Sequence, residues 1–567
     1  MVRAAGRAPV NLPRLPVFPA DKITRYLCYA VHRDENLRDY VLHSVVDSHL
    51  QALCPSYGVD LVCVARHAML AQRRGNFRKA AFTVVRLVLL LAVVVGVITR
   101  SATLAAPIFA VAVIAAWWVL FRNLRANGLS ALKVVTDLGK PEDQADALEP
   151  EVEERLKKLA RANVVVYAGG EFDPFIGSGR RLHFYQVNPV NVTKAGDGPG
   201  GVKRQITTFD AVELHQYLAT QIPALGFDGL RVRNRLYVRG DYAQHVPGLL
   251  PDKLAAPESF IYSDWVKSAV AHPAELARTY ICMERIMSGG DLVVSMYVRA
   301  WLEQDMLSIE RIIYFLPPLQ DRYRPTREFV ARGPAGVNLD AAAFAARRLG
   351  PVLAGRRVFG WQPVNYARRR QQAEVQARRH IKAGVIYDYG ARTSLREAVA
   401  AYNTKEHFAW ADVIDSSKRL GSRLMDCIEK FLDDHGIDTS DFQNQVRLID
   451  NSVSNIGTIQ AGIVHAGGQG NISTGESGTF NSFADPSAAR AELQAMLDVL
   501  LQVITETRAE AGVRHLAEQA RAEADEPQPR TGRLRGLMEA VVAGAGQAGA
   551  VAQAALNVLA VISKIPW

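Results

Sequence analysis

Two cysteine–histidine pairs are the first residues whose spacing could do chemistry. Cys28-x-x-x-His32 and Cys63-x-x-x-His67 each set a thiol and an imidazole one helical turn apart. These are ligand types that zinc takes, and two such pairs on neighbouring helices would compose a Cys2His2 set. Buried cysteines beside satisfied histidines show the same spacing and are the commoner arrangement. No cofactor is called for beyond that metal possibility.

The run Gly177-Ser178-Gly179-Arg180-Arg181 is a second candidate. Successive glycine amides can form a concave nest, and two guanidiniums beside it suit a phosphate or an acidic lipid headgroup. A turn between two strands would use the same glycines. A third stretch, GNISTGES at 470–477, comes within one residue of a phosphate-binding loop. Glu476 stands where the lysine belongs, so the charge is reversed where the β and γ phosphates would sit. Taken in fives, GTIQA (457–461), GIVHA (462–466) and GNIST (470–474) share one rhythm, with Ile459, Val464 and Ile472 as the apolar members. Such short units cannot bury a core alone and would lean on neighbouring helices or on another copy of the chain. A flexible glycine-rich loop is the alternative.

Catalytic signatures are missing: no nucleophile elbow, H-E-x-x-H, kinase set or dinucleotide fingerprint occurs. Asp433-Asp434-His435 closes an amphipathic segment, where a polar cluster is ordinary, and Glu171, Asp173 and His183 would need the fold to bring them together. No catalytic residue is assigned, and an enzyme is not the expected reading.

The elements that would position these residues divide the chain. Residues 20–79 have apolar positions returning every three or four, as helices do. Residues 80–121 are continuously apolar, too long for one membrane span and divided near Arg100 into two stretches of about twenty residues, enough for a transmembrane hairpin. Arg86 can snorkel near the start of the first span, and Trp117 and Trp118 suit an interfacial anchor at the end of the second. Arg73, Arg74, Arg78 and Lys79 precede the hairpin and Arg122, Arg125 and Lys133 follow it, so both termini are expected to be cytoplasmic. Residues 122–162 read as a juxtamembrane connector.

Residues 163–335 hold six strand-like runs and one clear helix, FDAVELHQYLATQIPAL, predicting a cytosolic α+β domain with an antiparallel sheet. A helical region with a basic helix follows (336–450), then the Gly-rich segment (451–484), an amphipathic helix (485–523), a linker (524–533) and a small-residue apolar C-terminal helix (534–567). The fold class expected is thus membrane-anchored α+β, with C-terminal helices around a short Gly-rich β segment.

Composition agrees. The 567 residues are 49% apolar, ample for several cores, and carry a formal charge of +10. Much of that charge flanks the apolar hairpin, which makes the bilayer a simpler partner than nucleic acid. Five scattered cysteines suit a reducing compartment, and the proline-broken start is not a cleavable signal peptide.

The segments TRYLCYAVH, CPSYGVDLVCVARH, the two-span hairpin, and PFIGSGRRLHF followed by RLYVRG together resemble uncharacterised actinobacterial two-span integral membrane proteins, over roughly residues 20–320. The resemblance implies a membrane protein with a large cytosolic part and brings no activity or site residue with it. The function expected is that of a membrane-tethered scaffold or sensor in the cell membrane, with self-association and anionic lipid headgroups as partners and no specific nucleic acid. The alternatives are an enzyme binding a phosphorylated ligand at the GSGRR loop and a membrane-disrupting effector.

Overall fold

The computed structural model describes residues 19–446 apart from 101, 138, 171–172, 199, 201, 354–364 and 403–406, and beyond them chiefly 511–525 and 530–544, with scattered positions at 493–505, 555 and 558. Two compact units are present, one built from the chain up to residue 446 and the other from the C-terminal part. Ile459, Val464 and Ile472 lie outside the described residues, as does the whole 451–484 segment.

The first unit begins with α1 (Lys22–Arg33) and α2 (Glu35–Val41). Asp34 starts α2 by accepting bonds from the amides of Asn36 and Leu37, the satisfaction of orphan donors expected of an N-cap aspartate. Next come α3 (Leu61–Thr99) and α4 (Ala102–Thr136), joined at Arg100, whose φ of 45° makes the reversal. α5 (Pro150–Ala160) completes the helical part, with proline at its first position, where the missing N–H costs nothing.

Both long helices change surface along their length. Towards the Arg100 turn their apolar side chains face outward: Leu90 is 62% exposed, Ile98 75% and Ile114 65%. The opposite ends lie in the largest apolar core, where α1, α2 and the start of α3 surround Ala131, Leu132 and Val134 of α4 and Leu156 and Leu159 of α5. Residues 122–162 are therefore the lower end of α4 followed by α5 packed into that core. Arg25 of α1 clasps the end of α4, donating to the carbonyls of Val134, Asp137 and Gly139.

All six strand-like runs form strands: β1 (Val164–Tyr167), β2 (Arg180–Asn191), β3 (Leu230–Arg239), β4 (Ala277–Met287), β5 (Leu292–Glu303) and β6 (Met306–Leu316). They make one sheet in the order β1-β3-β4-β5-β6-β2. The sheet is mixed, not purely antiparallel as the sequence predicts, because β1 runs parallel to β3 at one edge. Between them the chain crosses to the far edge as β2 and returns through α6 (Ala211–Gln221), and such a crossover permits parallel pairing where a tight turn does not. The β4–β5–β6 meander does follow short turns, Gln304 and Asp305 both taking positive φ between β5 and β6.

α7 (Ser263–Ala271) lies against β3 and β4. α8 (Arg327–Leu353) follows α4 and reaches the hairpin, where Ala345 joins Phe82, Val85, Ala112, Ala116 and Leu120 in a small apolar cluster. The basic helix α9 (Asn365–Lys382) inserts Ile381 into the core beneath β1 and β3. The short α10 (Leu395–Ala398) and the long amphipathic α11 (His407–Asp434) complete the set. In the second unit, α12 (Ala511–Asp525) and α13 (Thr531–Gly544) share an apolar core with Leu493, Leu497, Leu500 and Ile504.

Candidate functional site

A chain of buried polar groups crosses the level at which the hairpin leaves the helical core. Glu35, at the first position of α2, meets Arg78 of α3 at 2.8 Å and Arg38 at 3.4 Å, and all three are buried. Arg78 also donates to the side-chain oxygen of Asn123 on α4 at 3.2 Å, whose amide donates back to the carbonyl of Arg74. Arg74 in turn reaches the Ala126 carbonyl, Asn127 and Ser130. Charges buried at this depth persist only when paired and hydrogen-bonded. The network fixes the register of α2, α3 and α4 where their surroundings change.

Deeper in the helical core, nearer the start of α3, lie the cysteine–histidine pairs. Asp60 starts α3 by accepting from the amides of Val62 and Cys63, and its own amide donates to Thr24 of α1. The start of α3 is thereby fixed beside α1. Cys28 and Cys63 stand with their sulfurs 3.4 Å apart, and His32 Nε2 faces His67 Nδ1 at 3.0 Å. The second nitrogen of His67 lies 2.9 Å from the Pro141 carbonyl. Ligand atoms of Cys28, Cys63 and His67 all fall within 4.8 Å of one another, and His32 stands against His67 outside that group. All four residues are buried.

The glycine loop is also a nest, and it holds a carboxylate of the chain itself. The amides of Gly177 and Gly179 point at Glu397 of α10, that of Gly179 at 2.8 Å. Both glycines need positive φ, and a Cβ on Gly179 would run into the backbone of Phe315. Ser178 is buried against the Tyr297 hydroxyl, whereas Arg180 and Arg181 open β2 with their side chains exposed. Nothing in the sequence around Glu397 announces this role.

Burial raises the Glu397 carboxyl to about 7, against the pull of the two amides and Arg396, which favour the charged form. Between the ordinary value of 4.5 and about 7 the folded chain keeps a proton that the unfolded chain has released. This group's contribution to stability therefore falls as pH rises across that window, by about 3 kcal/mol in all. His183 and His215, each lowered to about 4 mainly by burial, act in the opposite sense from 6.5 downward. Glu397→Gln isolates the first effect, because the histidines are common to both chains. The stability difference between wild type and Glu397→Gln, read from unfolding midpoints, should shift against wild type from pH 4.5 to 7; a constant difference contradicts the assignment.

Other candidate residues have partners of their own. Asp173 accepts from the Phe175 amide and, at 2.6 Å, from the Tyr314 hydroxyl, while His183 stacks beside Tyr185. Asp433 pairs with Arg204, and His435 ends α11 beside the Phe431 carbonyl, 3.6 Å from Glu213. Glu171 lies outside the described residues. On the hairpin, Arg86 is half-buried, Trp117 stacks on Phe121 at 5.3 Å, and Trp118 is 55% exposed.

Together these features define an α+β protein carrying two helices, Leu61–Thr99 and Ala105–Thr136, long and apolar enough to cross a membrane. An AbeC-like domain covers residues 185–465. It takes in the latter part of β2 and the chain from there through α11, and leaves β1, the glycine loop, the hairpin and both cysteine–histidine pairs outside. No curated protein and no solved structure matches the chain.

Proposed function

We propose that the chain is an integral membrane protein, anchored by the α3–α4 hairpin, whose α+β part serves in the cytoplasm as a membrane-tethered scaffold or sensor. The observation that carries this reading is the change of surface along two continuous helices. Exposed leucine, isoleucine and valine give way, within α3 and α4, to a core closed by the Glu35–Arg78–Asn123 network. An apolar collar of that size has no stable place in water, and a hairpin whose two lower ends join one core returns the chain to the side it left.

Basic residues suit the boundary. Arg347 and Arg348 of α8 are exposed beside Ala345, which touches the hairpin, where they would meet anionic headgroups. A scaffold or sensor fits better than an enzyme because the carboxylates at the candidate loop, Asp173 and Glu397, are committed to internal partners. Membranes from cells making the full chain should retain it through alkaline carbonate washing and release it into detergent; release by carbonate alone would contradict the anchor.

A further inference from the structure

We propose that Cys28, Cys63 and His67 bind a thiophilic divalent cation, zinc by the character of the donors, with His32 as the fourth ligand. The inference stands on the helical core alone and does not depend on the membrane reading. Both pairs occupy positions one turn apart, and both contacts, Cys28 with Cys63 and His32 with His67, join residues thirty-five apart in the chain. That match requires α1 and α3 to run in the same direction here, which presents two thiols at one level and two imidazoles at the next.

The spacing is close to that of a tetrahedral centre. Bonds of about 2.3 Å to sulfur and about 2.0 Å to nitrogen set two sulfurs ~3.8 Å and two nitrogens ~3.3 Å apart. The corresponding separations are 3.4 and 3.0 Å. Closing the site needs His32 to turn off the face of His67 towards the sulfurs, a side-chain movement that leaves the helices in place.

The protons already point the right way. A carbonyl can only accept, so neutral His67 carries its proton on Nε2, facing Pro141, and leaves the Nδ1 lone pair towards the cluster. This is the arrangement in which an outer hydrogen bond orients a ligating imidazole. His32 must then donate from Nε2 to His67, and its own Nδ1 is left buried without a partner. With a cation bound, Nε2 of His32 ligates and the proton moves to Nδ1, where Asn127 is the polar neighbour. Two thiols lose their protons to solvent as the ion enters, and two thiolates balance the two charges of the cation, so the buried centre is neutral. Nothing is oxidised.

The test uses the full chain purified in detergent under reducing conditions. After removal of metal by a chelator, cobalt(II) should produce a thiolate-to-cobalt charge-transfer band with tetrahedral d–d absorption, saturating at one ion per chain and displaced by zinc. Elemental analysis of the chain as purified should find zinc, lost in Cys28→Ser and Cys63→Ser and kept in Cys427→Ser, whose thiol lies apart on α11. His32→Ala should weaken cobalt binding at least tenfold; unchanged affinity would remove His32 from the set. The absence of a charge-transfer band in the wild-type chain would overturn the site whatever the variants do, as would recovery of Cys28 and Cys63 as a disulfide under the same conditions.

Discussion

Glu35→Ala should cost the protein about 3–5 kcal/mol of stability, the range seen when one partner of a buried charge pair is removed. Glu35 is the carboxylate that Arg38 and Arg78 share, and all three side chains are buried. Its removal leaves two guanidiniums facing each other out of water. Arg78 keeps its bond to Asn123, but Arg38 already has a buried Nε without a partner. The loss should be read in detergent from chemical unfolding, and it should fall on the grip between the N-terminal helices and the hairpin. Protease cleavage between α2 and α3 should accelerate accordingly. Glu35→Gln, which keeps an acceptor but not the charge, should lie between the two. A midpoint for Glu35→Ala within error of wild type would mean that water reaches the network.

Glu284→Ala is expected to have an effect of similar size in the sheet. Arg235 of β3 and Glu284 of β4 form an ion pair with each side chain only 3% exposed. The guanidinium also donates to the Ala162 carbonyl and the Tyr57 hydroxyl, so it ties the sheet to the segments before β1 and before α3. Alanine leaves that cation buried, with neutral partners only, again at about 3–5 kcal/mol. Replacing the pair together, Arg235→Met with Glu284→Leu, should recover most of the loss, since apolar side chains of similar volume often substitute for a buried pair without cost. A double variant as unstable as Glu284→Ala would show that the neutral bonds of Arg235 matter more than its charge.

The strands and the hairpin are legible in the sequence because their signals are local. Runs such as VVVY and LVVSMYVRAWLE alternate or saturate with apolar residues over the length of one strand, and each forms one. The parallel edge is not legible, since β1 and β3 are separated by β2 and α6 and no local pattern fixes how they pair. The same boundary runs through the candidate sites. One turn of helix between Cys28 and His32 can be read directly; the parallel approach of α1 and α3, and the Pro141 carbonyl behind His67, cannot. At the glycine loop the nest is readable, but its occupant comes from Glu397, over two hundred residues away. The Glu35 network is hidden for a related reason. Its members look like ordinary surface charges until the hairpin helices bring Arg78 and Asn123 beneath α2.

The claim on which the proposed function depends is that the hairpin crosses the membrane and returns. Arg100→Cys places a thiol at the exposed turn between α3 and α4, and Lys382→Cys places one at the exposed end of α9. In intact cells making the full chain, a membrane-impermeant maleimide added outside should label the cysteine at 100 and leave the one at 382 untouched until the cells are lysed. Labelling at 382 in intact cells, or protection at 100 until lysis, would contradict the account.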